Sequence, residues 1–571
     1  MSGDTGYRLA RRFVHGLAEC GAEVVAVGAG SRSTGAALAF HDDGRFKVHS
    51  FVDERSAAFF ALGAARATGR PAAVLTTSGT AAANLLPAAV EARAAGVPLV
   101  LLTADRPPEM HDVGAMQTVE QIGLLPAAIW TVDLHTYDDA MISHAAHLAA
   151  QACAFATGTP PGPVHVNMRF REPFVPSAEI REENFEQPSV VCRPSSVCAP
   201  DPTTVTSVAA RMRAKPRGLI YAGHMEGDVS GLAAAVEGLA IASGFPVIAE
   251  ATSRLRGRLG GAIVVDAAEA LIRAAKFADW YKPDFVLRIG RAPLTRGMLE
   301  WLGSLDADQV VVAPGVPWAD PTLSAKEVLA SDETEACTAL SVALGGSMSD
   351  GGWADAWAAS SVAARTALDS SLDSGAFFEG TVTRGVVRNL PEGALLFTAS
   401  SLSIRALDAF TPATAPLEAF ASRGASGIDG TTSAALGAAV ATGRPVVCLT
   451  GDLAFLHDIG GLAAAARHLI PLVTVVIDNG GGGLFDFLPQ RKSIDRDTFE
   501  DLFATSHTLD LLHAAELFGL QFASVHDADE LDRVLKWAFT EGTAWVIRAE
   551  VRRGASVEAH GGAWAAVVDA L

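Results

Sequence analysis

At 571 residues, 49% hydrophobic and 19% charged, the chain is globular and long enough for roughly three or four domains. A formal net charge of −20 argues against nucleic acid or an anionic membrane as the main partner. No apolar run reaches the length of a membrane-spanning helix, so no stable membrane insertion is expected, and residues 1–20 lack the apolar core of a secretory leader.

The first segment alternates apolar runs with Ala-rich helical stretches. Strands are expected at 23–28, 48–52, 72–76 and 98–104, and helices at about 54–67 and 80–95. Strand–helix alternation predicts a parallel sheet with right-handed crossovers. Three loops follow these strands. Gly28-Ala-Gly-Ser31-Arg32-Ser33-Thr34 is either a carboxylate or phosphate site or a turn with a solvated Arg. In Asp53-Glu54-Arg55-Ser56 the acids suit a helix N-terminus, and one carboxyl could serve a cofactor. Asp105-Arg106-Pro-Pro-Glu109, with Gln117 and Gln121 close behind, could bring an Arg and amides to one pocket or be plain surface.

A Pro- and Ser-rich stretch from 171 to about 202 reads as a linker. A middle α/β domain follows, with strands at 218–222, 246–250, 284–289 and 309–313, and residues 347–352 read as the next boundary. The third segment repeats the first. Residues 62–71 and 436–445 agree at nine of ten positions, at an offset of 374, and this aligns Ser78 with Asp452. Composition bias could produce such a match, but the shared order of elements favours a duplicated domain. The expected architecture is α/β, with parallel sheets flanked by helices in domains 1–180, 200–346 and 353–571, the outer two related.

Two loops of the third segment carry candidates. Ser400-Ser401-Leu-Ser-Ile-Arg405 opens a helix, where Ser is ordinarily a cap. Ala421-Ser-Arg423-Gly-Ala-Ser426-Gly-Ile428-Asp-Gly430 places another Arg in a Gly/Ser loop. Arg32, Arg106, Arg405 and Arg423 thus fall at strand or helix ends of an acidic protein, which suggests substrates with several carboxylates.

Gly451-Asp452-Leu453 and Asp478-Asn479-Gly480-Gly481-Gly482-Gly483 each follow an apolar strand-like run. Asp452 and Asn479 therefore lie at the carboxyl ends of strands, where open α/β sheets bind ligands. A carboxylate, an amide and a glycine carbonyl are hard oxygen donors suited to Mg2+ (Mn2+ as a variant) together with phosphate oxygens. The helix after Leu453 would offer its N-terminus to those phosphates. The six cysteines (Cys20, Cys153, Cys192, Cys198, Cys337, Cys448) are scattered without zinc spacing and read as reduced, which points to a cytoplasmic protein.

Taken with Thr77-Ser-Gly-Thr80, Gly162-Pro-Val-His-Val-Asn167 and the run from Gly480 to Pro489, these motifs resemble the MenD family. Its members are the thiamine-diphosphate-dependent 2-succinyl-5-enolpyruvyl-6-hydroxy-3-cyclohexene-1-carboxylate (SEPHCHC) synthases of menaquinone biosynthesis. The resemblance implies pyrimidine-binding, central and diphosphate-binding domains, and a homodimer or homotetramer with sites between subunits. It implies decarboxylation of 2-oxoglutarate and conjugate addition of the succinyl carbanion to isochorismate, releasing CO2. Glu54 would hold the aminopyrimidine, and Ile428 would bend the cofactor. Asp452, Asn479 and the Gly481 carbonyl would ligate the metal. Ser78, Ser426, Gly451, Leu453 and Gly482 would complete the cofactor site, with Phe485 and Leu488 as an apolar wall. Arg32, Arg106, Gln117, Ser401, Arg405 and Arg423 would meet the substrates. Gly28-Ala29 replaces the Cys-Pro of many relatives, and Leu294-Thr-Arg296-Gly offers only Arg296 where some relatives have a Lys-Arg pair. Other decarboxylases of this cofactor class are less similar, since no His-His pair is seen and the metal motif is Gly-Asp-Leu. A fold that has lost catalysis would not need Glu54 and the full metal set.

Overall fold

The computed structural model describes residues 3–135, 138–183, 188–193, 196–314, 319–346 and 351–571. Three parallel sheets follow one another along the chain. The first holds β1 (Val24–Gly28), β2 (Lys47–Phe51), β3 (Ala72–Thr76), β4 (Leu99–Asp105), β5 (Trp130–His135) and β6 (Pro163–Arg169), in the order β2-β1-β3-β4-β6-β5. The second holds β7 (Gly218–Ala222), β8 (Val247–Ala249), β9 (Phe285–Ile289), β10 (Asp308–Val312) and β11 (Ala325–Leu329), ordered β11-β10-β9-β7-β8. The third holds β12 (Leu395–Thr398), β13 (Ala419–Ala421), β14 (Val446–Gly451), β15 (Val473–Asp478), β16 (Gln521–Val525) and β17 (Trp545–Glu550), ordered β13-β12-β14-β15-β17-β16. Numbered from their own first strands, the outer sheets have the same order. The α/β class is as expected, and the shared order supports a duplication.

The expected strands are all present, with ends shifted by a residue or two. The expected helix over 80–95 is instead two, Thr80–Ala83 and Leu86–Ala95. Pro87 starts the second turn well but cannot donate back into a preceding one, so the chain breaks at Asn84–Leu85. Residues 171–202 form no strand among the described residues and only the short helix Ala178–Glu182, before the helix Pro202–Ala214 begins at their end. The stretch is tied to the N-terminal helix by Ser177 N–H donating to Asp4 Oδ1 (2.7 Å) and by the Arg8–Glu183 ion pair (2.9 Å). Of the expected boundary at 347–352, residues 347–350 lie outside the described residues. The helix Gly351–Ser374 begins there and packs Trp353 and Trp357 against the middle domain.

One expectation fails. Cys20 and Cys192 are disulfide-bonded, with Cα atoms 5.5 Å apart, while Cys153, Cys198, Cys337 and Cys448 are free. The 172-residue separation gives no local spacing from which to read the pair, and the folded-back linker brings the two together.

The outer domains meet through the repeat itself. The helices Glu54–Thr68 and Thr431–Thr442 cross in one apolar core with Phe60, Leu62, Phe397 and Leu436. A Cβ on Gly63 would stand 1.9 Å from the Ala434 carbonyl oxygen, and one on Gly437 would stand 1.9 Å from that of Phe60. Glycine at the matched positions lets the backbones touch. With both sheets parallel, the loops after β1–β4 and after β12–β15 all emerge at carboxyl ends, and these loops carry the candidate residues.

Candidate functional site

The loop after β2 begins the helix Glu54–Thr68. Asp53 caps it, accepting from Arg55 N–H at 2.8 Å, which leaves Glu54 as the first helical residue. Glu54 is half-buried and accepts from Asn84 Nδ2 at 3.2 Å. A Cβ on Gly28 would lie 2.8 Å from Glu54 Cγ, so glycine at the end of β1 makes room for that side chain.

Arg32 and Arg106 are both buried beside this end of the sheet. Arg32 Nη1 donates to the Phe170 carbonyl at 2.5 Å, and its guanidinium stacks 4.6 Å from the Phe174 ring. Burial, then the like charge of Arg106, holds Arg32 below its ordinary pKa, and burial does the same to Arg106. Among the described residues Arg32 Nε, Arg106 Nε and Arg106 Nη1 have no partner, nor does the buried Ser78 hydroxyl. Gln117 sits at φ 58° and donates to the Ser78 carbonyl at 3.1 Å. Gln121 is different. Fully buried, it accepts from Gly79 N–H and donates to Asn167 Oδ1 (2.8 Å), bracing the β3 and β4 loops rather than offering an amide to a ligand.

In the third domain Ser401 heads its helix at φ 74°, without capping it by its side chain. Arg405 Nη1 donates to the Ser401 carbonyl at 2.7 Å, and Arg423 Nη2 to that of Ala292 at 3.3 Å. Burial and the nearby Arg423 lower the Arg405 pKa. Arg423 Nε is buried and has no partner among the described residues. Ile428 is 41% exposed in the same loop, beyond Ser426 at φ 58°. Arg296 lies apart. Its side chain is 84% exposed and paired with Glu300 at 2.6 Å.

Asp452 follows Gly451, the end of β14, and is buried at the start of the helix Asp452–His457. Its carboxylate accepts from Leu453 N–H (2.7 Å) and Gly481 N–H (2.8 Å). Burial nevertheless pushes its pKa above the ordinary range, and the Asp478 charge adds to this. Asn479 Oδ1 is buried with no partner among the described residues. Gly481 lies at φ 146°, and a Cβ there would stand 2.5 Å from the Ala504 carbonyl oxygen. Gly482 N–H donates to that same oxygen at 2.6 Å. The glycine run is therefore needed for the segment around 504–507 to close over it. That segment brings His507 Nε2 to 3.3 Å from Asp452 Oδ2, and Asp452, Asp478 and His507 form a group with metal-ligand spacing. Asp478 is also paired with Arg548 Nε at 2.5 Å. Phe485 packs edge-on to Phe503 (6.0 Å) in a short turn, Gly483–Phe487, that ends at Leu488. A buried carboxylate with raised pKa beside an orphaned amide oxygen fits a hard cation.

His507 was not found from sequence. It lies 29 positions after Asp478, in no motif, and only closure of the loop gives it a role. Asn84 was likewise hidden inside an expected helix.

The two halves touch below the loops: Ser56 Oγ donates to Asp458 Oδ1 (3.1 Å) and Arg55 Nη2 to the His457 carbonyl (2.8 Å). Among the described residues no hydrogen bond or ion pair joins Glu54, Arg32 or Arg106 to Asp452 or Asn479.

The family described as thiamine pyrophosphate enzyme, N-terminal TPP binding domain matches residues 7–124, and the corresponding C-terminal TPP binding domain matches residues 403–549. Fold and site thus define a thiamine-diphosphate-dependent enzyme. The chain is 40% identical over 564 residues to a 2-succinyl-5-enolpyruvyl-6-hydroxy-3-cyclohexene-1-carboxylate synthase of Geobacillus kaustophilus, covering 97% of this chain and 96% of that one. Synthases of the same description from Myxococcus xanthus (39%, covering 98% and 97%) and Chloroflexus aurantiacus (40%, covering 97% and 95%) are similarly close. The chain belongs to the SEPHCHC synthase family.

Proposed function

We propose that the protein condenses 2-oxoglutarate with isochorismate, releasing CO2 and forming the SEPHCHC of menaquinone biosynthesis. The observation that carries this reading is a buried Asp452 and an Asn479 Oδ1 without a partner among the described residues, at the ends of adjacent strands, in a chain whose first domain also leaves Arg32 Nε, Arg106 Nε and Arg106 Nη1 without one. Bound thiamine diphosphate would supply the electron sink for decarboxylation.

The chain's own residues divide the remaining work. Asp452, Asn479 and the Gly481 carbonyl hold Mg2+, or Mn2+ in its place, and Gly451, Leu453 and Gly482 flank the diphosphate. Glu54 holds and returns a proton at the aminopyrimidine, with Asn84 fixing its carboxylate. Ser78 and Ser426 line the cofactor, Ile428 props it, and Phe485 and Leu488 keep water away. Arg32, Arg106, Arg405 and Arg423, with Gln117 and Ser401, bind substrate carboxylates and hydroxyls, for which the planar guanidinium suits.

The domains would be 1–180, 200–346 and 353–571, and a homodimer or homotetramer would bring Glu54 of one chain to Asp452 of another. A cytoplasmic location belongs to the same proposal, although the Cys20–Cys192 bond removes the all-thiol argument for it. No described helix is long and apolar enough to cross a membrane.

The test is an assay with purified protein, thiamine diphosphate, Mg2+, 2-oxoglutarate and isochorismate. Isochorismate is expected to disappear only when all components are present, giving an adduct of succinyl mass. Consumption of 2-oxoglutarate that ignores isochorismate would replace this reading with a simple decarboxylase.

A further inference from the structure

The repeated segments 62–71 and 436–445 differ at one position, where Arg66 stands against Val440. Arg66 is buried on a helix face that is otherwise apolar. Its Nη2 donates to Glu91 Oε1 at 2.8 Å, its Nη1 to Ser422 Oγ at 3.2 Å, and its Nε lies 3.1 Å from Glu226 Oε1. Glu226 belongs to the middle domain and also meets His224 Nε2 at 3.0 Å. Burial opposes its charge, but Arg66 prevails and holds the carboxyl well below its usual range.

Glu91, on the helix Leu86–Ala95, is equally buried. Besides Arg66 it accepts three successive backbone donors of the third domain: Gly424 N–H at 3.0 Å, Ala425 N–H at 2.7 Å and Ser426 N–H at 3.3 Å. No other acceptor for these amides is found among the described residues. The loop also lies directly on the end of the Glu91 helix, for a Cβ on Gly424 would stand 2.7 Å from both Ala95 N and the Glu91 carbonyl oxygen.

Buried charges are unfavourable unless each is satisfied. Here one carboxylate is matched by a guanidinium and three amides, and the guanidinium by a second carboxylate. The first domain contributes two helices, through Arg66 and Glu91, and the middle and third domains one loop each. This chain of contacts ends on the backbone of Gly424, Ala425 and Ser426, between Arg423 and Ile428.

We propose that Glu91, itself set by Arg66 and Glu226, is a positioning residue that fixes the pose of Arg423, Ser426 and Ile428 toward substrate and cofactor. The inference rests on the roles given to those three residues above. It also gives the middle domain a part in the site without a ligand contact of its own, because Glu226 acts only through Arg66. A carboxylate can serve a cation and several amides at once, whereas a neutral amide of the same shape offers one acceptor oxygen and adds donors that the loop does not need.

The experiment is Glu91→Gln in the full-length protein, read in two ways. Hydrogen exchange needs no substrate: the amides of Gly424, Ala425 and Ser426 are expected to exchange at least about tenfold faster while the rest of the third domain keeps wild-type rates. In steady-state kinetics the KM of at least one carboxylate substrate is expected to rise about tenfold, with kcat within about twofold. Glu91→Asp keeps the charge beside Arg66 but falls a methylene short of the loop, and should lie between the two. Unchanged exchange at the three amides overturns the proposal, as does faster exchange with every KM unchanged. If Glu91→Gln fails to fold, Glu91→Asp decides by the same two criteria. Wild-type protein without turnover would count against the proposed reaction alone. The dissociation constant of thiamine diphosphate then replaces KM as the second readout, because Ser426 and Ile428 share the loop.

Discussion

Arg32, Arg106 and Arg423 keep guanidinium nitrogens buried without partners among the described residues, whereas Arg66 has Glu91, Glu226 and Ser422 around its guanidinium. Unpaired buried donors cost free energy, so their presence at strand ends is best relieved by a ligand that accepts hydrogen bonds. Glu54 stands differently, with one oxygen held by Asn84. Glu54→Gln keeps the shape and that contact but cannot take up a proton. Its kcat should fall by about 10²- to 10⁴-fold with thiamine diphosphate affinity nearly unchanged. Turnover at the wild-type rate would remove Glu54 from proton transfer. These residues were legible in the sequence because each lies in a short loop directly after an apolar strand. Glu91 was not, because it is an acid in the middle of an ordinary helix, and its partners lie 25 and more than 300 positions away.

At the scale of elements, the helix pair Glu54–Thr68 and Thr431–Thr442 is limited by two glycines. Gly63→Ala or Gly437→Ala would drive a methyl into a carbonyl oxygen of the opposite helix. Each should cost at least about 1–3 kcal/mol in a denaturant titration, since close-packed helices separate rather than compress. An unchanged midpoint would mean that the two helices do not meet as described. The first sheet carries a pH-dependent weakness. His165 on β6 is buried against Thr103 (2.8 Å), and burial pushes its pKa down to about 4. The unfolded chain takes up that proton near pH 6.5, before the folded one does. Stability from a neutral His165 is therefore complete above about pH 6.5 and falls away down to about pH 4, a loss of about 3 kcal/mol. His165→Gln should flatten the acid limb of the thermal melting profile, and an identical limb would exclude this histidine as its source.

For the whole molecule, no hydrogen bond or ion pair among the described residues joins Glu54 to Asp452 within one chain, although Ser56, on the helix that Glu54 starts, bonds Asp458, at the end of the helix that Asp452 starts. If the site forms between chains, inactive Glu54→Gln and Asp452→Ala proteins should regain activity when unfolded and refolded together, because a mixed assembly contains one intact site. Failure to complement, with mixed assemblies shown to form, would place the site within a single chain.

The sequence by itself determined the three parallel sheets, the related outer domains and the placing of the candidate residues in loops at strand ends. Strand and helix periodicity is local, and a parallel sheet sends every strand's carboxyl end to the same side. Tertiary structure alone decided that Cys20 meets Cys192, that His507 closes on Asp452, and that Glu226, Arg66 and Glu91 bind three domains around one loop. Each of these joins residues that no repeating pattern links. Their partners are chosen by which surfaces are left facing one another once the sheets have packed, and that choice is made in three dimensions.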